Sequence, residues 1–412
     1  MFSTSSAQSS PFSKAKHLVL IGGGHSHAIV LRQFGKNPLP GARITLISEG
    51  VDTPYSGMVP GLVAGLYERS ACYIDLQSLT QFSGANLIVD RAIGLDLLHQ
   101  QVLCANHPPI PFDVLSINTG STPSVPPVPG AEESTHSIPV KPIGKFLECW
   151  NHVLAAVEQT PEHSLVIGVV GGGVGGVEVI LAMQRRLMQL LASHPGVGER
   201  LGLHLFHRDR ELLTQNPPWV RRRLTQLLSD RGIQIHLKEQ VKDFVDRQVL
   251  CASGLTVSCD YLFWVTAAQA PDWPRQAGLK VDDHGFIQVQ DTLQSVSHPF
   301  VFAVGDAATM VNHPRPKAGV FAVRQGKPLA ENLRRVLQGQ VPCPFYPQQR
   351  YLSLIGTSEL QGGEENQAIA SWGPFAGGPC RLLWDWKDRI DRQFMAQFQN
   401  YQGLPIITKA DQ

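Results

Sequence analysis

Leu165 to Glu178 reads LVIGVVGGGVGGVE. Six of the 13 residues from Leu165 to Val177 are glycine and none is charged. A bilayer span needs roughly 20 apolar residues, so this run is too short to be one. A buried strand entering a glycine-rich turn and then a helix explains it better. The spacing Gly171-x-Gly173-x-x-Gly176 is the one that a pyrophosphate turn requires. The first glycine permits the tight turn, the second lets the ligand approach the backbone, and the third lets helix and strand pack closely. The helix N-terminus then offers N–H groups and a positive dipole end to the phosphates.

The same pattern stands about 150 residues earlier. His17–Ile21 leads into Gly22-Gly23-Gly24, a helical stretch runs from about His25 to Phe34, and Arg43–Ser48 is a second apolar run. Here the third glycine is replaced by His27, which predicts a helix set slightly apart from its strand. Glu49 ends the second run, 27 residues after Gly22. A carboxylate there suits the two ribose hydroxyls of an adenosine. At the same place the second copy carries His207-Arg208. No acid there excludes a 2′-phosphate and Arg208 could pair with one; a solvated strand end is the other reading. Strands alternating with helices predict an α/β fold built on two such units.

Composition bounds the rest. A chain of 412 residues suggests two or three domains at about 150 residues each. Lys+Arg number 35 against 34 Asp+Glu, a net charge of +1, which argues against a nucleic-acid-binding chain. Seven scattered cysteines with no C-x-x-C pair point to reduced thiols and a cytoplasmic setting. Met1–Ser13 has no apolar segment, so it reads as a tail and not a secretory signal. His25 and His27 do not share a helix face and no cysteine or carboxylate completes a ligand set, so no metal is expected.

With these motifs in order, the chain resembles the two-dinucleotide-binding flavoproteins of the pyridine nucleotide–disulfide oxidoreductase superfamily. The resemblance includes Asn118-Thr119-Gly120-Ser121-Thr122-Pro123, its weaker echo Val265-Thr266-Ala267-Ala268, the Asp90–Asp96 segment, and Gly305-Asp306 after an apolar run. It implies FAD on the first unit and NAD(P)H on the second. FAD contacts then fall to Gly22, Gly23, Gly24, His25, Glu49, Ala92, Thr119, Gly120, Gly305, Asp306, Lys317 and Ala318. Asp306 would receive a ribityl hydroxyl, Lys317 would lie at the pyrimidine edge of the flavin, and backbone N–H groups near Ala318 would face the reduced ring. NAD(P)H contacts fall to Gly171, Gly173, Gly176, His207, Arg208 and Ala267.

The disulfide branch of the superfamily carries a C-x4-C pair in the helix after the ribose acid. The stretch Pro54-Tyr55-Ser56-Gly57-Met58-Val59-Pro60 has no cysteine, so that relay is excluded. What remains is similar to the type II NADH dehydrogenases, in which electrons pass from the flavin to a quinone. Glu178 is then the residue expected to orient the nicotinamide, and Tyr55 the one expected to line the flavin or acceptor pocket. GGGHSHAIVLRQF, PYSGMVPG, RPKAGVFAVRQG and WDWKDRIDRQFM are also similar to the flavoprotein module fused to selenide, water dikinase; the dikinase activity does not carry over. A soluble reductase serving selenium or sulfur metabolism and a low-turnover FAD-binding scaffold are the alternatives to a quinone-reducing enzyme.

The expected architecture is two Rossmann-like domains, the FAD domain split by the NAD(P) domain, with a small C-terminal α+β region. The boundaries read 14–135 and 285–337 for the FAD domain, 136–284 for the NAD(P)H domain and 338–412 for the C-terminal region, after a tail over 1–13. In the C-terminal helix Leu383, Trp386, Ile390 and Phe394 recur at helical spacing. That predicts a face packed on the flavin domain or on a dimer partner. Its sharper alternative is peripheral membrane contact through 381–398.

Overall fold

The computed structural model describes residues 15–123, 136–194, 200–360, 365–399 and 401. The tail over 1–13 and most of the Pro-rich linker at 122–130 lie outside the described residues.

Two five-stranded parallel sheets carry the fold. In the first, the order is Val301–Ala303, Val114–Ile117, Lys16–Ile21, Ala42–Ser48, Asn86–Val89. In the second, it is Ser137–Pro139, Tyr261–Trp264, Leu165–Val170, Leu201–His207, Gln234–Leu237. The strands are almost wholly apolar because helices cover both faces of such a sheet. Leu18, Val19 and Leu20 in one, and Ile167 and Val169 in the other, are fully buried.

The edge strand beside Val114–Ile117 arrives from the far side of the second sheet, and the edge strand Ser137–Pro139 arrives before that sheet begins. This interleaves the two units. Thr122–Pro123 pairs antiparallel with Ala268–Gln269 where the chain crosses between them. The change of core on the return falls near Trp273, since Trp273, Ala277, Leu279 and Val281 pack with the first sheet. Each unit also carries a three-stranded antiparallel meander at the same point in its sequence, from Ala92 in the first and from Val241 in the second.

The C-terminal region is an antiparallel meander, Leu352–Gly356, Ala368–Trp372 and Phe375–Cys380, followed by the helix Arg381–Met395. This helix departs from the expected orientation. Lys387, Asp391, Phe394 and Met395 face inward, while Leu382, Trp386 and Ile390 are exposed. Of the expected apolar face, Phe394 is buried and Leu383 half-buried, while Trp386 and Ile390 are exposed. Two charges tolerate burial there because Lys387 Nζ donates to Asp391 at 2.7 Å and to the carbonyl of Gly57 at 2.9 Å.

Candidate functional site

Both glycine turns leave the C-terminal edge of a central strand, where ligands of open α/β sheets bind. Gly22 N donates to Ile47 O at 2.8 Å, and Gly171 N donates to Phe206 O at 2.9 Å. Gly22 and Gly171 have φ of +93° and +124°, in the region that favours glycine. A Cβ on Gly22 would stand 2.4 Å from Asn118 O, and one on Gly171 would stand 2.2 Å from Val265 O. The two turns are thus the same construction built twice.

They differ at the third motif position. A Cβ on Gly176 would lie 1.8 Å from Gly171 O, so the second helix packs directly on its turn. In the first unit His27 fills that gap. Its Nδ1 bonds Gly22 O at 2.7 Å and its Nε2 bonds Ser116 Oγ at 2.8 Å. Since a carbonyl only accepts, Nδ1 carries the proton and Nε2 accepts from the serine. Burial pushes the imidazole pKa down to about 4, only partly opposed by the bond to Gly22, so His27 is neutral near pH 7.

The remaining expected cofactor residues gather along these edges. Glu49 follows Ala42–Ser48 and is exposed; Thr119 and Gly120 follow Val114–Ile117; Gly305 and Asp306 follow Val301–Ala303. Ala92 opens the meander at the side of the first sheet, with Asp90 just before it buried and holding Asn106 and His107. Ala318 caps the helix Gly319–Leu337, and Ser26 Oγ donates to Ala322 O within that helix at 2.6 Å. In the second unit, Gly173 precedes the helix Val174–Leu190, His207 ends its strand, and Arg208 and Ala267 are exposed beyond strand ends.

The fit for a dinucleotide is visible in one atom. Asn118 Nδ2 is buried without a hydrogen-bond partner, and it would stand 2.6 Å from a Cβ on Gly24. A buried donor left unpaired costs about 1–3 kcal/mol, and it sits where the first turn needs donors for a phosphate. The residues present therefore fit FAD.

Lys317 lines one cavity with Gly305 and Asp306. Its ammonium donates to Ala308 O and to Thr309 Oγ1 and lies 3.9 Å from the centre of the Phe286 ring. Burial pushes its pKa down to about 8, with Asp306 opposing. The lysine that meets Asp306 is Lys141, at 2.7 Å, and it also donates to Ser121 Oγ at 3.1 Å. Lys141 was not singled out in the sequence, because nothing local marks a lysine 165 residues from its carboxylate.

Tyr55 and Glu178 both meet the C-terminal region. The Tyr55 ring packs against Phe394 at 4.5 Å and His25 at 5.2 Å between centroids, and its hydroxyl is close enough to Asp391 to feel that carboxylate. Burial, reinforced by Asp391, raises the pKa of this phenol. Glu178 accepts from Gly356 N at 2.9 Å. Burial pushes its pKa up, while Lys387 and the Gly356 N–H oppose that. The C-terminal region thus touches the first unit through the Tyr55–Gly57 loop and the second through Glu178. It grips the second unit again through Arg231, which donates to Thr357 O at 2.8 Å and pairs with Glu359.

A family profile described as pyridine nucleotide-disulphide oxidoreductase matches residues 16–326. Among curated proteins, the chain is 23% identical over 353 residues to the NADH dehydrogenase-like protein YutJ of Bacillus subtilis, covering 84% of this chain and 91% of that protein. It is 24% identical over 302 residues to demethylphylloquinone reductase NdbB of Synechocystis, covering 70% of each. Among solved structures, NDH2 of Plasmodium falciparum in complex with NADH superposes with a TM-score of 0.74 at 14% identity, over 96% of this chain and 100% of that one. The sulfide:quinone oxidoreductase of Aquifex aeolicus gives 0.73 at 19% identity, over 94% and 92%. Two matched glycine turns, an interleaved pair of parallel sheets and a profile spanning most of the chain agree: the protein belongs to the pyridine nucleotide-disulphide oxidoreductase family.

Proposed function

We propose that the protein is an FAD-dependent NAD(P)H dehydrogenase that delivers electrons to a quinone or related small-molecule acceptor. The observation that carries this reading is the pairing of two nucleotide turns, matched in geometry, with a segment, Tyr55–Pro60, that holds an aromatic residue and no cysteine. The quinone-acting relative supports the acceptor class. FAD, when bound, supplies the hydride acceptor and the two-electron outlet.

The chain's own residues bind and orient. Gly22–Gly24 and Asn118 Nδ2 would hold the FAD pyrophosphate, Glu49 the adenosine ribose and Asp306 a ribityl hydroxyl, with Lys141 paired to that carboxylate. Ala92 would meet the adenine, Thr119 and Gly120 would border the ring, and the N–H groups after Ala318 would face its pyrimidine side. Gly171, Gly173, Gly176, His207, Arg208 and Ala267 would hold the dinucleotide, and Glu178 would orient the nicotinamide. Tyr55 would wall the acceptor pocket. One hydride from NAD(P)H and one solvent proton balance the reduction of a quinone to its quinol.

The test is anaerobic. NADH or NADPH should bleach the yellow protein, and a soluble quinone should restore the colour faster than oxygen does. No bleaching with either nucleotide would overturn the reading.

Peripheral membrane attachment through 381–398 belongs to the same proposal. Among the described residues no helix is long and apolar enough to cross a membrane. Leu382, Trp386 and Ile390 recur every fourth residue on the exposed side of the last helix, with Phe375 also exposed on the neighbouring hairpin. Co-sedimentation with anionic liposomes should fall when Leu382 and Trp386 become serine; unchanged sedimentation would instead favour a homodimer contact or a bare surface.

A further inference from the structure

The internal repeat allows one unit to be read against the other, residue by residue. The backbone bonds from Gly22 to Ile47 and from Gly171 to Phe206 place the two turns in the same register with their second strands. The strand pairing agrees, since Ile21 lies opposite Ile47 and Val170 lies opposite Phe206. Counting on from there, Ser48 corresponds to His207 and Glu49 corresponds to Arg208. The position that holds a carboxylate in the first unit holds a guanidinium in the second.

That position faces the adenosine ribose of a nucleotide seated on the turn. A carboxylate there accepts both ribose hydroxyls and repels a 2′-phosphate. A guanidinium donates, and it matches a phosphate in two-point geometry. We infer that the second unit selects NADPH over NADH, with Arg208 as the residue that reads the 2′-phosphate. The inference rests on the proposed NAD(P)H reading of that unit and departs from relatives whose names specify NADH.

The surroundings fit this role. The Arg208 side chain is 70% exposed, and its ion-pair contact with Asp209 is loose, at 3.9 Å. It is therefore open to a ligand. Arg210 is exposed two residues on, and Arg222 and Arg223 are exposed on the helix Pro218–Asp230. Glu211 pairs with Arg221 of that helix, which ties the arginine-bearing loop to it. Asp209 is the opposing charge. Its carboxylate lies 3.4 Å from His207 Nε2, and the His207 Nδ1 accepts from Gly172 N at 3.1 Å. His207 thus braces the phosphate turn, while its Nε2 makes no hydrogen bond among the described residues.

The test measures binding on the FAD-loaded chain with fragments that cannot react. Titration calorimetry with 2′,5′-ADP and with 5′-AMP isolates the 2′-phosphate. The wild type should bind 2′,5′-ADP at least about 10-fold more tightly than 5′-AMP. Arg208→Ala should remove most of that ratio while leaving 5′-AMP nearly unchanged. Arg208→Lys should restore part of it, which a change in folding alone would not do. Asp209→Asn should raise the ratio further. Equal affinities for the two fragments in the wild type, or a ratio insensitive to Arg208, would overturn the inference. A preserved ratio in a chain whose flavin neither nucleotide bleaches would instead count against the dehydrogenase reading and leave the selectivity standing.

Discussion

The two nucleotide units share a sheet order around their central strands, a glycine turn, a meander and even the carbonyl that crowds the first glycine. Two of their differences pair by position in the motif: His27 against Gly176, and Glu49 against Arg208. The first divergence concerns how the helix is seated, and the second concerns what is bound. Close packing of helix on turn in the second unit uses no side chain. In the first unit an imidazole replaces it, bridging Gly22 to Ser116. A motif can therefore lose a glycine and keep its geometry when a side chain supplies the hydrogen bonds that contact would have displaced.

The largest break should come from Gly176→Ala. Its Cβ would be driven into the carbonyl of Gly171, at a cost of about 3 kcal/mol by overpacking. Chemical denaturation should show that loss, and nucleotide titration should show the second unit failing while FAD content is largely kept. If Gly176→Ala binds nucleotide normally, the two helices are not seated differently in any way that matters.

The next effect is on pH dependence. His27 titrates near 6.5 when unfolded and near 4 when folded. Below pH 6.5 the unfolded chain takes up a proton that the folded chain refuses. Stability from this group is therefore complete above that pH and is lost as pH falls towards 4, by up to about 3 kcal/mol. His27→Gln keeps a hydrogen-bonding side chain without the titration. Its unfolding free energy should decline less steeply between pH 6.5 and 4 than that of the wild type. Identical slopes would mean that His27 is not the acid-sensitive element of the first turn.

The smallest expected effect sharpens the second divergence. Glu49→Gln should weaken FAD by about 10-fold, read from flavin release on dilution, with little change in thermal stability because Glu49 is exposed. Unchanged retention would show that the acid in the first unit is not the counterpart of the arginine in the second.

The elements that proved legible in the sequence are the locally encoded ones. Strands flanking Gly22 and Gly171, the seat of the first helix and the strand before Gly305 all follow from runs and spacings within some 30 residues. Contacts made across the chain were not legible. Lys141 meets Asp306, and Lys387 reaches Gly57 across 330 residues. The last helix was legible only in part: Phe394 is buried as its spacing predicts, but Lys387 and Asp391, given a partner by a distant loop, share the inner face in place of Trp386 and Ile390. The contacts of Lys317 with the carbonyl of Ala308 and the ring of Phe286 were likewise not legible.

The C-terminal region holds the first unit at Gly57 and the second at Glu178, Arg185 and Arg231. The two units already touch at the crossing strands and where Val59, Val63 and Ala64 pack into the core of the second unit. A third body fastened to both braces that contact. The brace helps to fix the spacing of the two turns, and a hydride can jump only across a short gap. Leu382, Trp386 and Ile390 stand on the outer side of the same helix whose inner side carries Lys387. Whatever grips that outer side bears on a helix whose inner side meets Tyr55 and Gly57, so an attachment there would be felt at the candidate site.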